Sequence, residues 1–408
     1  MKKVHFSEWG VESPKYWGLL ALLGVVIAIA GAATWYMEHN GHWVTGMTNQ
    51  IVWGMPHVFA IFLIVAASGA LNVASIGSVF DKKLYKPLAR LSGLLAITLL
   101  AGGLAVLVLD LGKPDRLLVA MTHYNFKSIF AWNIYLYTGF FAIVAVYLWF
   151  MMDRRMNKYY KPAGIAAFLW RIILTTGTGS IFGFIVARQG YDAAILAPMF
   201  VIMSFAYGLA VYILVLLFVA WMDGREVGDK VLFRLKNLLG VFAAAVFYFT
   251  LVYHLTNLYG TENHEYEAFI LRDGGIYTFL FWFGWVLVGN LLPIALVYHP
   301  AIGKTRGGII AAATSVVVGG LATVYVIVIG GQAFPMAMFP GKTIVASGYF
   351  DGVNGQPFLY TPSLPEFLLG IGGIALVLLL TFVAIRVLQF LPVSLADEAV
   401  DPHHAKSS

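Results

Sequence analysis

Cysteine is absent from this 408-residue chain. That excludes disulfides, thiolate nucleophiles and any zinc or iron–sulfur site built on the chain's own thiols. Charge is scarce too: 11% of residues are Asp, Glu, Lys or Arg, against about a quarter in a soluble domain. A soluble fold of this size must cover a wide surface with polar groups, so the water-soluble classes fall away. The net charge of +6 does not indicate nucleic acid, because the basic residues sit in short connections between apolar runs. A cleaved leader is not expected either. Its charged segment would directly precede a short apolar core, whereas Lys2 and Lys3 are followed by Glu8, Glu12 and Pro14 before a long run from Tyr16 to Tyr36.

What the chain has is hydrophobicity: 60% of residues, with a mean hydropathy of +0.81. Runs long enough to cross about 30 Å of hydrocarbon fall near 16–37, 52–79, 91–111, 128–152, 164–187, 195–222, 237–258, 276–298, 308–331 and 367–391. Aromatics gather at their ends, among them Trp35, Trp53, Trp132, Trp149, Trp221 and Tyr298, as in interfacial belts. With the N-terminus inside, 20 Lys and Arg lie in inner segments and 6 in outer ones. The positive-inside rule then puts both termini in the cytoplasm. The expected fold is an all-α integral membrane protein of ten transmembrane helices, embedded in the lipid bilayer. An echo between Pro56-His57-Val58-Phe59, leading to Gly69, and Pro198-Met199-Phe200, leading to Gly208, lies four spans apart. It suits two four-helix bundles plus a C-terminal helix pair, divided as 1–160, 161–300 and 301–408. Two outer loops have character: 259–275 is acidic (Glu262, Glu265, Glu267, Asp273), and 332–366 is long and proline-rich.

An ionisable group at the centre of a membrane helix costs at least about 2.5–3.5 kcal/mol, so the exceptions locate function. Asp110 closes the third run, ahead of Gly112 and Pro114, where a carboxylate opposes the helix macrodipole. Its bland reading is a solvated end residue paired with Lys113 or Arg116. His57 follows Pro56 at the same outer level, and Ser128, Trp132, Asn133 and Tyr137 open the fourth run. Apolar walls, an acid and a few donors are what a quinone head group requires, and histidine with a desolvated carboxylate handles its protons near neutral pH. Arg188, Asp192 and His254 mark a second outer cluster, read as helix caps or as a proton path or second site. Thr175, Thr176, Thr178 and Ser180 line one stretch of the fifth run; hydroxyls bonding back to their own helix are the ordinary reading.

Two other classes stay open. His57 and His254 could ligate one haem axially as a b-type cytochrome. A transporter or proton-translocating module would show interrupted helices near the midplane, for which Gly102-Gly103, Gly319-Gly320 and Gly372-Gly373 are hints.

Three segments carry a family resemblance. Trp53-Gly54-Met55-Pro56-His57 running into Ala67-Ser68-Gly69, the turn Asp110-Leu111-Gly112-Lys113-Pro114-Asp115-Arg116, and Phe126-Lys127-Ser128-Ile129-Phe130-Ala131-Trp132-Asn133 resemble the NrfD/PsrC family of quinone-interacting membrane subunits. The stretch from Gly46 to Ala60 and the Thr122–Ser128 segment look most like its DsrP branch, from the DsrMKJOP complex of sulfur metabolism. The resemblance implies a bacterial inner-membrane subunit that oxidises or reduces quinone (menaquinone or ubiquinone) at the periplasmic face. It implies electron exchange with a periplasmic ferredoxin-like iron–sulfur subunit, beside other membrane and cytochrome subunits, with no haem or cluster in this chain. The catalytic pair would be Asp110 and His57, with Arg116, Ser128, Trp132, Asn133 and Tyr137 completing the quinone site. Departures from the family pattern are Lys113, where an arginine is usual, and Lys127-Ser128-Ile129 in place of Ser-Pro-Met.

Overall fold

The structure is a computed structural model and describes residues 5–10, 14–336 and 359–400. Among these, ten helices are long and apolar enough to cross a membrane: α1 (Pro14–Asn40), α2 (Met55–Ser78), α3 (Lys83–Leu109), α4 (Ile129–Met152), α5 (Asn157–Gly183), α6 (Leu196–Asp223), α7 (Asp229–Tyr259), α8 (Ile276–Tyr298), α9 (Arg306–Ala333) and α10 (Leu364–Val387). The all-α, ten-span expectation holds. Of the features used to orient the protein, Lys2, Lys3, Lys342 and Lys406 lie outside the described residues, as do Glu12 and the stretch of the proline-rich loop with Pro340 and Pro357.

Helix ends depart from the apolar runs for physical reasons. α5 and α7 begin at Asn157 and Asp229 rather than near 164 and 237. Their first turns carry Lys158 and Lys161, and Lys230, Arg234 and Lys236, whose long stems keep the charge in the headgroup layer while the backbone stays helical. α10 stops at Val387, because Leu391–Pro392 pairs antiparallel with Phe6–Ser7.

Two rings of four helices form the body. In one, α2 packs on α3, α3 on α4, α4 on α5 and α5 back on α2; in the other, α6 to α9 close likewise. α1 stands outside both, lying along α10. The extra pair therefore comes from both ends of the sequence, whereas the boundaries 1–160 and 301–408 put α1 in the first bundle and paired α9 with α10. Packing accounts for it: Trp9 and Tyr16 are buried, Trp9 meets Phe382 edge-on at 5.6 Å, and the Tyr16 hydroxyl donates to the Phe382 carbonyl.

The bundles meet where the two echoing segments cross. A Cβ on Gly69 would sit 1.6 Å from the Ser204 carbonyl oxygen, and one on Gly208 would sit 2.1 Å from the Ala70 nitrogen. Small residues at such crossings let backbones approach in lipid, where packing rather than water drives association. The glycine pairs noted as transporter hints do the same work. Gly102 and Gly373 face each other between α3 and α10, and Gly319 meets Gly289 between α9 and α8.

Candidate functional site

α2 is the most enclosed span, with 94% of its apolar window buried. Pro56 supplies its first turn, so His57 is fixed at the helix start on the inner side of the bundle. Against it ends α3, where Asp110 is the capping residue and Gly112 turns the backbone at φ +67°. A side chain on Gly112 would also press on the His42 ring at 3.3 Å. Both the conformation and the space demand glycine there.

Between these ends and α4 and α5 lies a cavity of about 430 Å³. α2 contributes His57, Ile61 and Ile64, with Trp53 just before it; α3 contributes Leu104, Leu107 and Val108. From α4 come Phe130, Asn133, Ile134, Tyr137 and Thr138, and from α5 Thr178, Ile181 and Phe182. The walls are apolar apart from a few convergent polar groups, the usual make-up of a site for a small planar molecule.

His57 Nδ1 lies 2.6 Å from Asp110 Oδ2. The contact has ion-pair distance without hydrogen-bond alignment, and neither Asp110 oxygen has another partner. Asp110 is 6% exposed and stands behind His57 rather than in the cavity wall. The bland reading, a solvated carboxylate paired with Lys113 or Arg116, is therefore replaced by a buried acid facing a histidine. Trp53 stacks on the imidazole at 6.1 Å and 27°. The same ring lines the cavity. The carboxylate against Nδ1 orients the imidazole.

Tyr137 and Asn133 both line the cavity and make different contacts. The Tyr137 hydroxyl is hydrogen-bonded to Thr178. Asn133 Nδ2 donates to the Ile129 and Gly177 carbonyls at 2.9 and 3.2 Å, which braces α4 on α5. Arg116, Ser128 and Trp132 stay outside the lining. Arg116 is exposed in a short 3-10 turn, Ser128 precedes α4, and Trp132 is 47% exposed with its Nε1 donating to the Phe126 carbonyl. The i,i+4 rule put Trp132 on the face of Ser128, and that face turns away from the cavity.

The second cluster is split among separate partners. Arg188 donates to the Gln332 and Gln50 carbonyls at 2.8 and 2.9 Å, and burial holds its guanidinium below the usual range. Asp192 is exposed. His254 Nδ1 meets Glu267 at 2.8 Å, and Asn257 donates to the same carboxylate. Its ring is enclosed edge-on by Phe281, Tyr253 and Trp285 at 4.7, 4.8 and 5.7 Å. His57 and His254 thus sit in different bundles, each with its own carboxylate and aromatic shell, which does not favour a shared axial ligation.

Three contributors escaped the sequence reading. Gln332 Oε1 accepts from the Val52 and Trp53 nitrogens at 2.9 and 3.0 Å, while its Nε2 donates to the Trp53 carbonyl. This side chain from the second bundle acts as a strand partner that holds Trp53 over His57. Glu366, fully buried, accepts from Tyr360 Oη at 2.6 Å and from the Gly46 and Ser363 nitrogens, and Tyr360 Oη in turn accepts from the Met55 nitrogen. A short helix at Leu117–Thr122 brings Leu117 and Met121 over the cavity. Its apolar triplet Leu117-Leu118-Val119, inside an otherwise polar connection, was the available signal.

With this geometry in hand, comparison with known proteins is specific. The family model described as polysulphide reductase, NrfD, matches residues 43–336. The protein is 28% identical over 407 residues to the Hdr-like menaquinol oxidoreductase integral membrane subunit of Archaeoglobus fulgidus, covering 98% of this sequence and 99% of that one. It is 24% identical to the C subunit of selenate reductase from Mesobacillus selenatarsenatis, covering 93% and 95%. The C component of polysulfide reductase from Wolinella succinogenes is 25% identical, across 70% of this sequence and 96% of its own.

Proposed function

Because the chain belongs to the NrfD polysulphide reductase family, we propose that it is the quinone-reactive membrane subunit of a redox complex, working at the His57–Asp110 cavity. The relatives are named as membrane or C subunits of menaquinol oxidoreductase, selenate reductase and polysulfide reductase. The observation that carries the reading is a histidine in the wall of an apolar cavity, backed at 2.6 Å by a buried carboxylate with no other partner. In this reading His57 Nε2 and the Tyr137 hydroxyl orient the two oxygens of a menaquinone-type ring. Trp53, Phe130 and Phe182 lie along its face, and the carboxylate behind His57 takes up the charge when the imidazole is protonated. The bound quinone supplies the two-electron chemistry; the protein supplies orientation, a dry wall and a proton carrier.

The charge asymmetry and the family resemblance support a periplasmic location for this end, facing an iron–sulfur subunit of a DsrMKJOP-like assembly. A photoactivatable quinone analogue in membranes containing the complex tests the site. Labels should map to α2, α4 and α5 around the cavity and be competed by menaquinone. Labelling confined to the second bundle sinks the assignment.

Coupling to proton movement has its own support. From Tyr137 and Thr178 a polar row continues inward: Thr175 Oγ1 donates to Ser68 Oγ at 2.5 Å, and Ser68 Oγ donates to the Arg171 carbonyl. Arg171 itself is fully buried near the middle of α5 and donates to Asn72 Oδ1 at 3.0 Å, with Nε and Nη1 left unpartnered. Its guanidinium lies over the Phe168 and Phe205 rings at 5.0 and 4.8 Å, and a buried charge of this kind is costly to keep without a role. It points to a controlled path from the cavity toward the opposite face.

A further inference from the structure

The end of the molecule opposite the His57 cavity carries a second hollow, of about 960 Å³. It opens between the segment joining α2 to α3 and the first turns of α7. Its mouth is basic and much of its lining is apolar. Lys82 and Lys83 lie just beyond the end of α2, and Arg234 stands one turn into α7, all three exposed. Half-buried Ile76, Leu84, Phe233 and Leu238 form an apolar wall, with Tyr85 and Asn237 among them. Asp81, the acid on the rim, is tied to Lys86 at 2.7 Å. Lys82, Lys83 and Arg234 have no ion pair of their own among the described residues. The rim therefore carries net positive charge beside a mostly apolar wall.

We propose that this hollow is a binding site for an anionic phospholipid of the phosphatidylglycerol type, its phosphate held by Lys82, Lys83 and Arg234 and an acyl tail laid along Ile76, Phe233 and Leu238. Basic hollows between membrane helices take phosphate head groups in this manner. A largely apolar lining beside a basic rim favours a lipid over a soluble phosphate compound. A soluble ligand would need polar partners throughout, and beyond the charged rim the lining offers only Tyr85 and Asn237. The lipid also has a structural consequence, since Lys82 and Lys83 belong to the first bundle and Arg234 to the second. One head group would join the two rings at the end opposite the cavity, where the two-strand clip of Phe6–Ser7 and Leu391–Pro392 gathers the N- and C-terminal segments.

The test uses the purified full-length protein in neutral detergent, examined by native mass spectrometry with added phosphatidylglycerol, phosphatidylcholine or inorganic phosphate. Phosphatidylglycerol should bind in preference to phosphatidylcholine, and millimolar inorganic phosphate should leave the lipid in place. Each cation neutralised as Lys82→Gln, Lys83→Gln or Arg234→Gln should weaken retention about fivefold, and the triple variant about a hundredfold. The charge-conserving set Lys82→Arg, Lys83→Arg and Arg234→Lys should retain the lipid, which separates loss of charge from loss of fold. Equal binding of the two lipids, or wild-type retention in the triple variant, overturns the proposal. Displacement by inorganic phosphate alone overturns it in favour of a soluble phosphate ligand.

Discussion

Asp110→Asn separates the chemistry of the site from its architecture. The substitution preserves side-chain volume, and the fold loses no aligned hydrogen bond, since neither carboxylate oxygen makes one. Assembly and thermal stability should therefore stay at the wild-type level or rise slightly, a buried amide being cheaper to desolvate than a carboxylate. Chemistry should suffer. Opposite charges 4 Å apart attract by about 4 kcal/mol at an effective dielectric of 20, and His57 and Asp110 are closer, at 2.6 Å. A neutral hydrogen bond from the amide restores about 1 kcal/mol. The protonated imidazole then loses about 3 kcal/mol of stabilisation, roughly a hundredfold in any step that passes through it. Steady-state oxidation of a menaquinol analogue by the intact complex measures this, with Asp110→Glu as the control that keeps the charge and loses less. Turnover of Asp110→Asn within about twofold of wild type would remove the dyad from the mechanism, and with it the observation on which the functional reading rests.

Further outcomes follow from other contacts. Gln332→Leu strips the acceptor from the Val52 and Trp53 nitrogens at about 1–3 kcal/mol each, so the melting temperature should fall and the quinol KM should rise as Trp53 loosens over His57. Gly69→Ala and Gly208→Ala should each cost about 1–3 kcal/mol of overpacking, read as a lowered melting temperature, whereas Gly18→Ala, with open space around it, should be neutral. Arg171→Gln should keep most quinol turnover while altering the stoichiometry of proton movement in proteoliposomes; unchanged stoichiometry argues against the inward polar row. The Asp81 carboxyl is held low by the hydrogen bond from Lys86 and then by its charge. Its contribution is present above the unfolded carboxylate value of about 3.9 and is lost as pH falls through the lower folded value. Asp81→Asn should flatten that acid-side loss in melting curves taken across this range.

Some of this architecture is written locally, and some only in three dimensions. Span number, Gly112 as the left-handed stop after Asp110, and the level shared by His57, Asp110, Asn133 and Tyr137 all follow from short-range rules of hydropathy, capping and depth. Rotation about the helix axis does not. In an apolar helix the lipid face and the bundle face have much the same composition, so nothing local told Trp132, which turns outward, from Asn133, which turns in. Buried polar clamps are equally silent. Gln332 and Glu366 read as loop-end residues until Trp53 and Tyr360 are brought to them across 279 and 6 positions of sequence.

The same contrast separates the two similar bundles at the position of His57. The echo aligns Pro56-His57 with Pro198-Met199, so the second bundle carries a thioether where the first carries a titratable ring. Met199 is fully buried, a packing residue at the place where His57 meets the cavity. The second bundle's own histidine, His254, has its carboxylate aligned at 2.8 Å and shared with Asn257. The Glu267 carboxylate is satisfied by these two donors, whereas neither Asp110 oxygen has an aligned partner. What the second bundle contributes to the site is rigidity. It supplies Gln332 to hold Trp53, Arg188 to hold Gln332 through its carbonyl, and Gly208 to bring α6 against α2. A quinone site needs its aromatic wall fixed against thermal motion. In the proposed reading one bundle carries the chemistry, and its sibling is the frame that keeps it in register.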